Sequence, residues 1–157
     1  RLVIAVGRNP GKAHLFTAEE RVEMAEELSS AIVRDEPDAA PVEVEAFHAL
    51  TVDFARLTGA TAILKGIRNL SDLQYEIQQA VTNREVAGLE TVFIVAGQSF
   101  AYTSSSLIKQ IAAMGEDLSA LSTMCPGLVI ERLREKKAEG SPLLRAIAAH
   151  DQNVEED

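Results

Sequence analysis

Residues 61–68 read Thr-Ala-Ile-Leu-Lys-Gly-Ile-Arg, a short apolar run that leads into two cations separated by a glycine. The run Thr61–Leu64 is typical of a buried β-strand. Short runs rich in β-branched residues predict three further strands, at Leu2–Val6, Val42–Ala46 and Thr91–Ala96. Helical patterns separate most of these strands, so the sequence predicts an α/β fold, a Rossmann-like wound and mostly parallel sheet.

Helix signals lie between and after the strands. The capping box Thr17-Ala-Glu-Glu20 predicts the start of a first helix. A similar signature, Ser71–Gln74, predicts a second helix, whose inner face would carry Leu73, Ile77, Ala80 and Val81. A third helix is expected to begin within Ser104–Ser106 and to end at Gly115, and a fourth to cover Pro126–Lys137.

Length and composition favour one globular domain. The chain has 157 residues, of which 46% are hydrophobic and 25% charged, and we expect residues 1–137 to form the domain and residues 138–157 an acidic C-terminal extension. The longest apolar run, Leu2–Val6, is too short for a membrane span of ~20 residues. No signal peptide opens the sequence, and the single cysteine, Cys125, has no partner for an internal disulfide, so a cytoplasmic location is expected.

The charge balance restricts the possible partners. Fifteen Lys and Arg residues stand against 24 Asp and Glu residues, a net charge of −9. Such a protein repels nucleic acid and other polyanions as a whole. An anionic ligand must therefore be held by a few focused cations.

Candidate anion-binding groups follow three of the predicted strands. Lys12 lies in the turn-rich loop Gly7–Lys12, Lys65 and Arg68 flank Gly66, and four hydroxyl residues, Thr103–Ser106, lead into a helix. Each group also has an ordinary interpretation. Lys12 would be a solvated loop lysine, Lys65 and Arg68 would be surface charges, and Thr103–Ser106 would only cap the helix. Because ligands of wound sheets bind beyond the carboxyl ends of the strands, and helix N-termini attract anions, the three together favour a substrate with several phosphates.

Other chemistries find little support. His14, His48 and His150 are scattered, Cys125 has no CxxC partner, and neither a P-loop nor a GxGxxG motif is present, so we expect no protein metal site. The residues therefore indicate nucleotide chemistry, and the pattern alone leaves the reaction open.

The ordered motifs resemble one enzyme family. These motifs are Lys12-Ala-His-Leu-Phe-Thr-Ala-Glu-Glu-Arg21, Lys65-Gly-Ile-Arg68 with Asp72, Tyr75-Glu76 and Asn83-Arg84, and Tyr102-Thr-Ser-Ser-Ser-Leu107. From residue 1 to about Lys136 the chain resembles the bacterial phosphopantetheine adenylyltransferases. The resemblance implies a nucleotidylyltransferase fold, transfer of the adenylyl group of MgATP to 4′-phosphopantetheine, a homohexamer, and coenzyme A as a feedback inhibitor.

The resemblance also assigns roles by position. Lys12 matches a loop lysine that contacts the reacting end of phosphopantetheine and the nucleotide phosphates, and Arg68 a second catalytic cation. Lys65 stands where the family usually has an arginine for phosphopantetheine, and it keeps the charge but lacks the fork. Further phosphopantetheine contacts are implied at Leu50 and Thr51, and ATP contacts at Gly66, Ile67, Arg68, Glu76, Phe100, Ala101, Tyr102, Thr103, Ser104, Ser105 and Ser106.

One family element is missing from this sequence. The family begins with a strand and an [HT]xGH motif, whereas residues 1–157 open in what resembles the family's second strand and contain no such motif. In the family's sheet order, 3-2-1-4-5, the absent strand is central, and unpaired buried backbone groups cost ~1–3 kcal/mol each. We therefore expect the 157 residues to be an incomplete record of the native chain, and inactive or nearly so by themselves.

Two alternatives stay open. One is another nucleotidylyltransferase of the same superfamily, with a nicotinate or glycerol phosphate as acceptor. The other is a noncatalytic nucleotide-binding or assembly subunit, which the missing motif would favour. The motifs Thr17-x-x-Glu20-Arg21 and Tyr75-Glu76 favour the phosphopantetheine enzyme over the first alternative.

Overall fold

The computed structural model describes residues 1–8, 11, 13–36, 38–97 and 103–152. Within these residues the strands are β1 (Leu2–Gly7), β2 (Val42–Phe47), β3 (Ala62–Ile67) and β4 (Glu90–Val95). The α-helices are α1 (Ala18–Asp35), α2 (Thr51–Leu57), α3 (Leu70–Ala87), α4 (Ser105–Met114), α5 (Gly127–Ala138) and α6 (Pro142–Gln152), with a short 3₁₀ helix at Ser119–Thr123. The four predicted strands are confirmed, each within a few residues of the predicted bounds.

The strands pair in parallel, as predicted for a wound α/β fold. β1 pairs with β2 in the register Leu2↔Val42 to Gly7↔Phe47, and β3 pairs with β4 in the register Ala62↔Glu90 to Ile67↔Val95. Each pair is a two-stranded sheet in the described part of the chain. Helices α1 and α3 are the crossovers that parallel pairing requires, so both pairs are βαβ units.

The chain divides into two compact units. Unit 1 comprises residues 1–48 and 105–157, and unit 2 comprises residues 49–104. The predicted boundary between residues 137 and 138 stays a prediction, while α6 lies in unit 1 and places Leu144 in that unit's apolar cluster.

Unit 1 has the larger apolar cluster. Leu121 and Leu133 are at most 1% exposed, and both lie in a cluster with Ala112, Leu118, Ile130 and Leu144. Leu15 and Phe16, which immediately precede α1, pack against this cluster. The packing therefore holds the segment before α1 against helices α4, α5 and α6.

Unit 2 has a smaller cluster, formed by Val52 and Ala55 of α2 with Leu89. Helix α2 is not among the sequence predictions, because seven residues are too short for a helical period to stand out. Its first residue is Thr51, and Leu50 is its N-cap.

Two predictions about α3 are wrong. The N-cap is Asn69, whose side chain accepts a hydrogen bond from the Asp72 amide at 2.8 Å, and Ser71 lies inside the helix. The predicted inner face is not buried either, since Ile77 is 45% and Val81 57% exposed, and none of the described residues of α3 is fully buried. An apolar stripe alone does not identify the surface that covers it.

Candidate functional site

Two cations, Lys65 and Arg68, lie at the end of β3. The structure extends β3 to Ile67, so Lys65 and Gly66 belong to the strand itself and Arg68 is the first residue after it. The prediction that the strand ends at Leu64 is therefore wrong by three residues. The consequence is geometric, because alternating strand residues face opposite sides of a sheet and Lys65 shares a face with Ile67.

Gly66 does not form a sharp turn. It lies in an extended strand, and the described glycines with positive φ are Gly59, Gly88 and Gly140. Apart from its chain neighbours, no described residue has a heavy atom within 4 Å of the position that a Cβ atom would occupy at Gly66. A glycine at this position would permit either a sharp turn or the close approach of a ligand. The extended strand excludes the turn, and the open space beside Gly66 is compatible with a closely approaching ligand.

Arg68 is held by two partners in unit 2. Its Nε lies 2.8 Å and its Nη2 3.3 Å from the two carboxylate oxygens of Asp72, a forked contact across one helical turn. Its Nη1 donates to the backbone carbonyl of Thr103. These contacts place the guanidinium between the first turn of α3 and the start of the hydroxyl run.

The electrostatics agree with this geometry. The hydrogen bond from Arg68, aided by its positive charge, holds the pKa of the Asp72 carboxyl below its ordinary value of 3.8. Asp72 is therefore a carboxylate at neutral pH, and 39% of the Arg68 side chain stays exposed. The guanidinium is thus fixed in direction while part of it faces outward.

Lys65 of β3 forms a second ion pair with helix α3. Its Nζ lies 3.1 Å from Oε2 of Glu76, one turn beyond Asp72 on α3. The two side chains are 37% and 19% exposed. Residues separated by 11 positions meet because β3 and α3 pack against each other in one βαβ unit.

The hydroxyl run has the predicted local structure. Thr103 and Ser104 are not helical, and α4 begins at Ser105. Ser105 and Ser106 are exposed in the first turn, which contains no acidic residue. The helix ends before Gly115, as predicted, where a Cβ atom would lie 2.8 Å from the Ile111 carbonyl oxygen. Backbone amides at a helix N-terminus attract anions, and the first turn of α4 contains no acidic residue that would oppose this attraction.

Several predicted site residues lie outside the described residues, namely Lys12, Phe100, Ala101 and Tyr102. The described residues Gly7 and Arg8, which precede Lys12 in the chain, make contacts with helix α1. Arg21 donates to the Gly7 carbonyl oxygen at 3.2 Å, and Arg8 pairs with Glu19. The capping box is confirmed, with Thr17 and Glu20 exchanging hydrogen bonds of 2.8 and 3.2 Å.

The remaining predicted residues have simple positions. Leu50 is 67% exposed at the N-cap of α2, next to Thr51. Gly66 is exposed and Ile67 is buried, 6% exposed, at the end of β3. Of the predicted residues, unit 2 thus brings together Lys65, Arg68, Glu76 and Thr103.

Sequence reasoning missed two contributors to this group. Asp72 was quoted as part of a motif but was given no role at the site, yet it fixes the Arg68 fork. Asn69 was not singled out, yet it caps the turn that carries Asp72. The spacing Arg68–Asp72, four residues apart across a helix start, is the signal that was available.

Other sites receive no support from the described residues. They contain no group of three or more His, Cys, Asp or Glu side chains that would hold a metal ion. Burial raises the pKa of the Cys125 thiol above 9.0, which disfavours the reactive thiolate. No helix in the described ranges has both the length and the hydrophobicity of a membrane span.

Comparison with known proteins gives one consistent result. The sequence profile of the cytidylyltransferase-like family matches residues 1–111. A protein of Frankia alni, named phosphopantetheine adenylyltransferase, is 43% identical over 139 residues, which cover 88% of this chain and 82% of that protein. Proteins of the same name from Frankia casuarinae and Caldanaerobacter subterraneus are 42% and 40% identical, covering 88% and 87% of this chain and 82% and 79% of their own lengths. The chain therefore belongs to the cytidylyltransferase-like family and, within it, to the phosphopantetheine adenylyltransferases.

Proposed function

We propose that the protein transfers the adenylyl group of ATP to 4′-phosphopantetheine, which yields dephospho-coenzyme A and pyrophosphate. Relatives with this enzyme's name at 40–43% identity support the reaction. The structural observation that carries the proposal is the position of Arg68, held between Asp72 and the Thr103 carbonyl. A fixed, partly exposed guanidinium beside a helix start is suited to binding phosphate.

The proposed reaction is an in-line displacement at phosphorus. A terminal phosphate oxygen of phosphopantetheine forms a bond to the α-phosphorus of ATP, and the bond from that phosphorus to the bridging oxygen of pyrophosphate breaks. The nucleophile is already anionic, so no general base is required. Positioning and charge stabilisation then supply the catalysis.

Each site residue takes a role in this scheme. Lys12 holds the nucleophile and the α-phosphate together, and Arg68 with the amides of Ser104–Ser106 stabilises the departing pyrophosphate. Lys65, Leu50 and Thr51 bind phosphopantetheine. The nucleotide is bound by Gly66, Ile67, Arg68 and Glu76, and by the segment Phe100, Ala101, Tyr102, Thr103, Ser104, Ser105 and Ser106.

Gly66 supports the nucleotide assignment in particular. Its backbone is extended and exposed, and no described residue outside its chain neighbours has a heavy atom within 4 Å of the Cβ position. A phosphate or ribose group can therefore reach the main chain of β3 without displacing a described side chain.

We propose that Mg²⁺ enters with ATP as the reacting species MgATP. Such an ion prefers phosphate and water oxygens and commonly takes one or two carboxylates at most. The described residues provide no cluster that would enclose it, which fits an ion carried by the triphosphate. When bound, it neutralises the charge that develops on pyrophosphate.

We also propose a cytoplasmic homohexamer that coenzyme A inhibits. Exposed apolar side chains on α3 support self-association, since Leu70 is 83% and Val81 57% exposed. Coenzyme A resembles the product, so it would compete for the phosphopantetheine site. Sedimentation velocity and product-inhibition kinetics test these two points.

The decisive assay uses protein produced from its complete gene. Pyrophosphate release is measured with ATP and either phosphopantetheine, nicotinate mononucleotide or glycerol phosphate as acceptor, and dephospho-coenzyme A is identified by mass spectrometry. We expect turnover with phosphopantetheine and with neither of the other two acceptors. Turnover only with another acceptor would transfer the protein to a different nucleotidylyltransferase, and ATP binding without any turnover would indicate a noncatalytic subunit.

A further inference from the structure

The ion pair between Lys65 and Glu76 joins two residues that have different ligands in the proposed function. Lys65 would bind the phosphate of phosphopantetheine, and Glu76 would accept a hydrogen bond from adenosine. In the structure they neutralise each other, with Nζ and Oε2 3.1 Å apart. Each substrate would therefore meet a side chain that already has an oppositely charged partner.

One atom of this ion pair, Oε2 of Glu76, is shielded from solvent. Less than 1 Å² of Glu76 Oε2 is exposed, and no described residue donates a hydrogen bond of regular geometry to it. The ammonium group of Lys65 is thus the neighbour that compensates its charge. Because this oxygen is shielded from solvent, loss of the ammonium group leaves it poorly solvated, although the Lys65 side chain itself is 37% exposed.

The neighbouring ion pair behaves differently. Arg68 has a fork, so it contacts both oxygens of Asp72 and the Thr103 carbonyl at the same time. Lysine is a compact charge on a flexible stem with rotatable donors, so it can turn from a carboxylate toward a phosphate. A phosphate that arrives at Lys65 therefore competes directly with Glu76.

We infer that the Lys65–Glu76 ion pair couples the two substrate sites, so that binding of either substrate opens the pair and strengthens binding of the other. The inference rests on the proposed function. The first substrate bears the cost of separating the two side chains, and the second meets a residue that is already free. Such coupling is reciprocal, and it favours the ternary complex over either binary complex.

The experiment measures this coupling by isothermal titration calorimetry on protein from the complete gene. Phosphopantetheine is titrated with and without saturating α,β-methylene-ATP, an analogue that cannot transfer its adenylyl group, and the ratio of the two dissociation constants is the coupling factor. We expect the ATP analogue to lower the dissociation constant of phosphopantetheine by about 5-fold or more, which is within the usual range of coupling between sites. The reverse titration must give the same factor.

Two variants separate the inference from simple charge effects. Glu76→Gln removes the charge that holds Lys65, and Lys65→Met removes the other partner. We expect a coupling factor near one in both variants. Glu85→Gln, which removes a carboxylate from the exposed part of α3, serves as the control and must keep the wild-type factor. A general electrostatic effect would shift both binary affinities and leave the coupling factor unchanged.

The outcomes are distinguishable. If the wild-type protein binds both ligands with a coupling factor of one, or if Glu76→Gln keeps the wild-type factor, the inference is overturned and the proposed function stands. If the wild-type protein binds no phosphopantetheine, the proposed function fails and the inference fails with it. A melting temperature within the wild-type range for at least one of the two variants establishes that lost coupling is not lost folding.

Discussion

Units 1 and 2 use the same kinds of residues for different purposes. In unit 1, a large cluster that includes Leu121 and Leu133 is almost completely buried, and ion pairs such as Glu20–Lys136 link helices at the surface. In unit 2 the buried cluster is small, and the ion pairs of Lys65 and Arg68 lie at the end of β3. The difference indicates that apolar packing stabilises unit 1, whereas unit 2 gathers paired charges at the end of β3.

The largest expected effect on stability is in the unit 1 cluster. Leu133 is 1% exposed, so Leu133→Ala is expected to lower the free energy of unfolding by about 2–5 kcal/mol, through lost burial and the cavity left behind. Leu57 of α2 is 84% exposed, and Leu57→Ala should cost no more than about 0.5 kcal/mol. Urea titration measures both values. Equal losses would contradict the assignment of stability to the buried cluster.

The comparison of arginines concerns catalysis. Arg68→Lys keeps the charge and removes the fork that contacts Asp72 and Thr103. Losing charged hydrogen bonds of about 1.5–3 kcal/mol should lower kcat/KM for adenylyl transfer by about 10- to 100-fold. Arg132→Lys is the matched control in unit 1, because Arg132 pairs with Glu23 and Glu135 on the surface. A comparable loss of activity in Arg132→Lys would remove the special role of Arg68.

The two helix caps provide a smaller and more specific contrast. Thr17→Ala and Asn69→Ala each remove a side-chain cap and should each cost about 1 kcal/mol of stability. The Asn69 variant is also expected to lower activity, because its cap orients the turn that carries Asp72. Asn69→Asp restores a cap and should restore both properties. If Thr17→Ala reduced kcat/KM as much as Asn69→Ala, the two caps would not differ in purpose.

The smallest effect is the pH dependence of the Glu20–Lys136 pair, whose atoms lie 2.6 Å apart. The hydrogen bond from Lys136 holds the pKa of Glu20 below its ordinary value of 4.5, and the same bond raises the pKa of Lys136 above 10.5. Lys136→Met should therefore lower the free energy of unfolding slightly at neutral pH.

The sign of that pH dependence follows from linkage. A carboxyl group whose pKa is lowered by folding stabilises the fold at pH values above its pKa in the unfolded chain. This stabilisation disappears as the pH falls through its pKa in the folded protein. The raised lysine pKa stabilises the fold below its unfolded value and loses its effect as the pH rises through the folded value. The difference in the free energy of unfolding between wild type and Lys136→Met should thus be constant from pH 6 to 9 and shrink below pH 4.5. A difference that grows on acidification would contradict it, and Glu131→Gln on α5 is the charge control.

The local features of the fold were predictable from sequence. The four strands follow from short apolar runs, and the cap at Thr17 follows from side chains that lie three residues apart. These signals depend on neighbours in the chain. At α3 two capping candidates, Asn69 and Ser71, lie two residues apart, and local chemistry did not distinguish them.

The tertiary features were not predictable in the same way. The contact between Lys65 and Glu76 depends on how α3 packs on β3, and an apolar stripe did not reveal that Ile77 and Val81 are exposed. Short helix α2 also escaped, because its seven residues complete only two turns. Lys65 and Arg68 were identified from their position near the end of a predicted strand, whereas the pairing of Lys65 with Glu76 required the fold.

The most direct test is a crystal structure of the protein from its complete gene with α,β-methylene-ATP. We predict that the Arg68 guanidinium and the amides of Ser104–Ser106 lie within hydrogen-bond distance of the triphosphate, and that Glu76 contacts adenosine. A nucleotide bound with its phosphates away from Arg68 and the start of α4 would contradict the proposed adenylyl-transfer site.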